Sequence, residues 1–133
     1  MSGDGIAWYK LKTNSSLIAQ VPVAQIKCGV LPDGTPLPAI AVSTVSDNEI
    51  ATLATGTSGL ITERVQVTVY AAQYTQLAPI LALIRTALAN AHGSVNGVTC
   101  DSIMPSGRGP YIFDDVLLVH ERSADYMVRW IAT

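Results

Sequence analysis

The clearest period-two pattern in the chain covers residues 60–72. Val65, Val67 and Val69 alternate with Arg64, Gln66, Thr68 and Tyr70, which predicts a strand with one face on a core and the other toward water. A second alternation sets Tyr126, Val128 and Trp130 against Met127, Arg129 and Ile131 and predicts a long closing strand over 121–131. Shorter strands are expected at 25–31, 39–46 and 98–104. The turn Pro32-Asp33-Gly34-Thr35-Pro36 separates the first two, because proline fixes φ and glycine supplies a positive one. Residues 111–119 show no decisive period.

A helical period dominates residues 76–92. Leu77, Ile80, Leu81, Ile84, Leu88 and Ala91 fall on one face at about 100° per residue. Thr75 is the expected N-cap, Pro79 is tolerated in the first turn, and Gly93 is the expected C′ residue. Shorter helices are expected at 6–12, with Asp4 available as a cap, and after Asn14 and Ser15, through Leu17, Ile18 and Val21 as far as Pro22.

This order predicts an α+β fold: an antiparallel sheet of about four to five strands against one main helix, with short helices at the N-terminus. The expected organisation is a single domain over 1–133, divided into an N-terminal helical segment (1–24) and a sheet-and-helix core (25–133). Residues 47–59 are rich in Asp, Asn, Thr, Ser and Gly and are expected to form a loop, long enough to suggest a function.

Composition changes this picture in one respect. Charged residues are 14% of the 133, against ~25% in an average soluble domain. Part of the deficit lies on the second face of the main helix, which carries Pro79, Ala82, Thr86 and Ala89, with Arg85 on its flank. Water-facing helix surfaces usually carry Glu and Lys. An alanine-rich exposed face is one reading, and a face covered by another subunit is the other.

Net charge is −2, and the eight basic residues are scattered, which argues against sequence-specific reading of DNA or RNA. No apolar run reaches the ~18 residues of a membrane span, so no membrane association is expected. The N-terminal MSGDGIAWYK does not resemble a signal peptide. Cys28 and Cys100 stand far apart with no metal-binding spacing and are read as small, half-buried, reduced thiols.

Catalytic chemistry has little support. His92 and His120 have no nucleophile near them in sequence, and the adjacent carboxylates Asp114 and Asp115 diverge on either a strand or a helix. Neither the spacing of His120, Asp114 and Asp115 nor that of Gly56 to Gly59 matches a metal site or a phosphate loop. The expectation is a protein that is not an enzyme, with no cofactor, metal or catalytic residue.

Several segments taken together resemble the tail terminator, or tail-completion, proteins of long-tailed bacteriophages. They are Leu37-Pro38-Ala39-Ile40-Ala41-Val42, Ser58-Gly59-Leu60 with Arg64-Val65-Gln66-Val67, and Ala72-Gln73-Tyr74 leading into the helix at Leu81 to Leu88. A hairpin-like run from Gly93 to Ile103 and the closing stretch from Glu121 to Trp130 follow. The resemblance covers residues 25–131. It departs from the family pattern in carrying an extra residue at 124–127.

The resemblance implies a virion structural protein of the tail or neck, assembled in the host cytoplasm. It implies a homo-oligomeric ring, typically a hexamer, that caps the tail tube, stops its polymerisation and offers a surface for head–tail joining. The implied partners are further copies of the chain, the tail tube protein, the head–tail connector protein, and DNA passing through the lumen without sequence-specific binding. The alternatives are a head-completion or connector ring of the neck, and a small oligomeric α+β enzyme or ligand-binding module with a pocket joining His120, Asp114 and Arg108.

Two surfaces are expected to carry the subunit interface: the helix face with Ala78, Ala82, Arg85, Thr86 and Ala89, and the exposed side of the long strand with Arg64, Gln66 and Thr68. The loop with Asp47, Asn48, Glu49, Thr52, Thr55, Thr57 and Ser58 is expected to face the tube or connector and to order on binding.

Overall fold

A computed structural model describes residues 3–52, 56–89, 91–95 and 97–131. The helices are α1 (Gly3–Lys12), α2 (Ser15–Ile18) and α3 (Leu77–Leu88). The strands are β1 (Ile26–Cys28), β2 (Ala39–Thr52), β3 (Gly56–Ala71), β4 (Gly93–Val95), β5 (Val98–Arg108), β6 (Ile112–Asp114) and β7 (Val119–Ile131). They form one curled seven-stranded sheet in the order β1-β2-β3-β7-β5-β4, with β6 also on β7.

The mixed α+β class and the single main helix match the sequence reading, while the strand count exceeds it. The two strands that no period predicted, β4 and β6, have three residues each, too few to display one; only the hairpin-like run from Gly93 to Ile103 in the family resemblance pointed to β4. The sheet is also not wholly antiparallel, since β1 runs parallel to β2 through Ile26↔Ile40 to Cys28↔Val42.

The alternation in β3 does what the pattern requires. Val65, Val67 and Val69 are fully buried, and Arg64, Gln66, Thr68 and Tyr70 lie on the other face. Each buried valine contributes roughly 1.5–3 kcal/mol relative to exposure. Tyr126 and Val128 of β7 join the valines in the core, together with Ile40, Val42 and Ile103. The β3–β7 ladder is unbroken from Leu60↔Ile131 to Ala71↔His120. The irregularities fall on β5, between Cys100 and Ser102 and between Pro105 and Gly107.

The helices cover the valine face. Leu77, Ile80, Leu81, Ile84 and Leu88 of α3 are buried, as are Ile6, Ala7 and Leu11 of α1. Asn14 caps α2 by accepting the Leu17 N–H at 3.0 Å. The start of α3 differs from expectation. Thr75 lies inside a 3-10 turn over Tyr74–Gln76, and the reciprocal cap is between Gln73 and Gln76. The helix also ends earlier, at Leu88, so Ala91 lies beyond it. Gly93, at φ 93°, opens β4.

The largest correction concerns the expected loop at 47–59: residues 47–52 and 56–59 are strand, and 53–55 lie outside the described residues. β2 and β3 pair from Ala39↔Tyr70 to Thr52↔Gly56, with irregularities after Thr44 and after Glu49. Beyond the Leu60↔Ile131 pair the two strands run on as a ribbon, with no third strand among the described residues. Backbone pairing alone can hold such a ribbon, and the sequence there shows no apolar alternation.

Candidate functional site

The outer face of α3 is as bare as the sequence suggests. Ala78, Ala82, Arg85 and Thr86 are exposed, and Ala89, the C-cap, is partly buried. The Thr86 hydroxyl donates back to the Ala82 carbonyl at 3.1 Å, so even the polar group here is turned onto its own helix. Arg85 lines a hollow of about 170 Å³ with Arg108 and Asp125.

The expected interface residues of β3 have partners within the chain. Arg64 Nε donates to Asp125 Oδ2 at 2.9 Å, and its Nη2 contacts the same oxygen. Gln66 Nε2 donates to Ser123 Oγ at 3.3 Å. Thr68, opposite Ser123, is half-buried. This face is therefore a polar ladder satisfied largely by β7. Asp125 lies at the boundary of burial, with Oδ1 unpaired.

Asp47, Asn48 and Glu49 of β2 pair with Glu63, Thr62 and Ile61 where β7 still flanks β3, whereas Thr52, Thr57 and Ser58 lie on the ribbon beyond, at one end of the sheet. Thr55 lies outside the described residues.

At the opposite end the structure shows groupings that the sequence reading missed. Tyr74, Tyr111, Phe113 and His120 form an aromatic cluster on the surface. The Tyr74–Tyr111 ring centroids are 4.8 Å apart edge-to-face, and Phe113–His120 are 4.6 Å apart. The Tyr111 hydroxyl pairs with His120 Nδ1. Asp114 caps the turn that follows, its Oδ1 accepting the N–H groups of Val116 at 3.0 Å and Leu117 at 3.1 Å. His120, Asp114 and Arg108 therefore do not converge on one pocket: Asp114 lines one groove, and Arg108 lines hollows beside α3.

Glu63 was also missed, although its signal was present. It lies in phase with Val65, Val67 and Val69, and so on the core face, where it is 2% exposed. Its Oε1 accepts the Gly3 N–H at 2.9 Å and the Trp130 indole N–H at 2.7 Å, and its Oε2 accepts the Thr44 hydroxyl at 2.8 Å. A carboxylate against the first amide of α1 also suits the helix dipole.

Neither cysteine is in a disulfide. Cys28 is more exposed than expected. Even so, partial burial, the Asp4 charge and a hydrogen bond to Asp4 push its thiol up to about 11. Burial is also the main influence raising the Cys100 thiol and the Tyr126 phenol, with Arg108 and Arg85 opposing it at Tyr126.

The comparison that decides identity is with protein families: residues 9–109 match the model for tail completion protein gp17. The chain belongs to the tail completion protein gp17 family. It is accordingly a structural protein of tail assembly, a virion component and not an enzyme. A comparison with curated proteins finds no match. Among solved structures, the fold is similar to a chain in the virion of a native gene transfer agent particle. The TM-score is 0.71 at 15% identity, covering 97% of this chain and 94% of that one. No described helix is long and apolar enough to cross a membrane.

Proposed function

We propose that this tail completion protein is a tail terminator. It forms a closed ring, a hexamer, that caps the finished tail tube, stops its polymerisation and presents the surface for joining the head. The observation that carries this reading is the exposed, nearly uncharged outer face of α3, with Ala78, Ala82 and Thr86, in a chain of a tail completion family. Small side chains let a neighbouring backbone approach closely, and a ring needs heterologous contacts in which different faces meet. The fold's recurrence in a chain of a gene transfer agent virion supports a particle component.

In this reading α3 and its flanking Arg85 and Ala89 contact the next subunit, with the Arg64, Gln66 and Thr68 side of β3 contributing. The end of the sheet formed by β2 and β3, with Asp47, Asn48, Glu49, Thr52, Thr57 and Ser58, reaches to the tube or the connector, and Thr55 contacts the same partner. DNA passes through the lumen without sequence-specific binding. A net charge of −2 suits passage, because a basic lumen would hold phosphate.

Ala78→Glu and Ala82→Glu introduce charge at exposed positions and should leave the fold intact while abolishing ring formation on tail tubes, read by light scattering and negative-stain microscopy. Rings that survive both substitutions would refute the placement of the interface. Assembly onto filled heads lacking tails, and not onto tubes, would identify a neck ring instead.

A further inference from the structure

The β6–β7 hairpin and the loop between β1 and β2 enclose a groove of about 280 Å³ at the end of the sheet remote from the ribbon. Val30, Leu31, Leu117, Val119 and the Tyr70 ring supply its apolar lining. The hairpin turn carries three consecutive aliphatic residues: Val116 is 84% exposed, Leu117 70% and Leu118 65%. Val30, on the facing loop, is 92% exposed.

Nothing in the isolated subunit accounts for these choices. The three turn side chains lie mostly in water, so they add little packing. Leu118 has φ 57°, a left-handed conformation that ordinarily favours Gly or Asn and disfavours a branched side chain. A polar turn would suit the lone subunit better.

The charge on the groove has one sign. Asp33, Asp114 and Glu121 line it, with no Lys, Arg or His among the lining residues. Burial, and after it the Glu121 charge, raises the Tyr70 phenol at the groove wall. This sign disfavours DNA phosphate and anionic lipid alike, and it favours a cation carried beside apolar groups.

We propose that the groove between the β1–β2 loop and the β6–β7 hairpin is the docking site for an extended aliphatic segment bearing Lys or Arg, contributed by another virion protein. The occupant's aliphatic side chains cover Leu117 and Val30, and its cations meet Asp33 and Glu121. The proposal rests on the chain being a virion component, and it does not depend on the ring.

The test uses the full chain labelled with nitrogen-15 and two synthetic peptides, one alternating leucine with arginine and the other alternating leucine with glutamate. The arginine peptide should shift the amides of residues 30–37 and 112–121 and bind about tenfold more tightly than the glutamate peptide. Its affinity should fall as salt rises from roughly 50 to roughly 500 mM. Asp33→Asn with Glu121→Gln should remove most of this preference, and Leu117→Ser should weaken binding without lowering the melting temperature. Equal binding of the two peptides, or shifts confined to other surfaces, would overturn the proposal. So would binding of phosphatidylserine vesicles in preference to the arginine peptide, or sedimentation showing self-association that Leu117→Ser abolishes. Loss of rings on tail tubes with peptide binding intact would count against the terminator reading alone.

Discussion

The indole N–H of Trp130 donates to the Glu63 carboxylate at 2.7 Å, at a point where Glu63 is 2% exposed. The same carboxylate accepts the first described amide of α1 and the Thr44 hydroxyl, so one buried side chain fastens the N-terminal helix, β2 and β7 to β3. Glu63→Ala would leave these donors unpaired inside the protein. Hydrogen bonds to charged groups contribute roughly 1.5–3 kcal/mol each, and the expected loss is about 3 kcal/mol or more in urea unfolding. Glu63→Gln keeps an acceptor and should cost about 1 kcal/mol. A shifted Trp130 indole resonance in both variants would tie the loss to this site.

Gly3 makes room for that carboxylate. A Cβ there would lie 2.8 Å from Glu63 Oε2 and 2.9 Å from Cδ. Gly3→Ala should therefore destabilise by about 1–3 kcal/mol, the usual range for overpacking, although alanine is the better helix former. Hydrogen exchange should show the added opening concentrated in α1. A gain in stability would mean that the carboxylate can move aside without loss.

Arg64 is half exposed, whereas the Asp125 side chain it meets is 12% exposed. Screening limits such a pair to about 1 kcal/mol or less, but removing the arginine alone strands a buried carboxylate. Arg64→Ala should therefore cost more than Arg64→Ala combined with Asp125→Asn, measured by thermal melting in a double-mutant cycle. Equal costs would mean that Asp125 is solvated well enough without Arg64.

Cys28 is accessible, yet its thiol should react slowly. Raising the pKa from 9.0 to about 11 reduces the thiolate at pH 8 by about a hundredfold, and the thiolate is the nucleophile. Labelling with a disulfide reagent should be correspondingly slower than for a free thiol and should quicken in Asp4→Asn. The sign follows from the causes: burial and a neighbouring carboxylate both disfavour the anion.

Much of this fold is written in local patterns, and what escaped them has physical reasons. β3 and α3 were legible because each has one buried face, which forces a period of 2 or of about 3.6 on the apolar residues. The Asn14 cap was legible because its chemistry is local. The strand extensions at 47–52 and 56–59 were not, since backbone pairing alone can hold them and no apolar alternation marks them in sequence. The parallel β1–β2 pairing leaves no sign in the sequence, since β1 has only three residues. Glu63 could have been read from its phase with Val65, Val67 and Val69, whereas Asp125 lies on the face opposite Tyr126 and Val128 and reads as solvent-facing until Arg64 is placed beside it. For assembly, the bare face of α3 was visible in the sequence. The hairpin at 111–118 was not, because its first strand has three residues and the stretch shows no decisive period.

The tail-terminator proposal stands or falls on whether the chain closes a ring on the end of a tail tube. Electron cryomicroscopy of tubes assembled from tail tube protein, with and without this protein, tests it most directly. The expected result is tubes of arrested length, each ending in a six-fold ring whose subunits meet through α3. Tubes that continue to elongate in its presence, with the protein monomeric and absent from their ends, would contradict it.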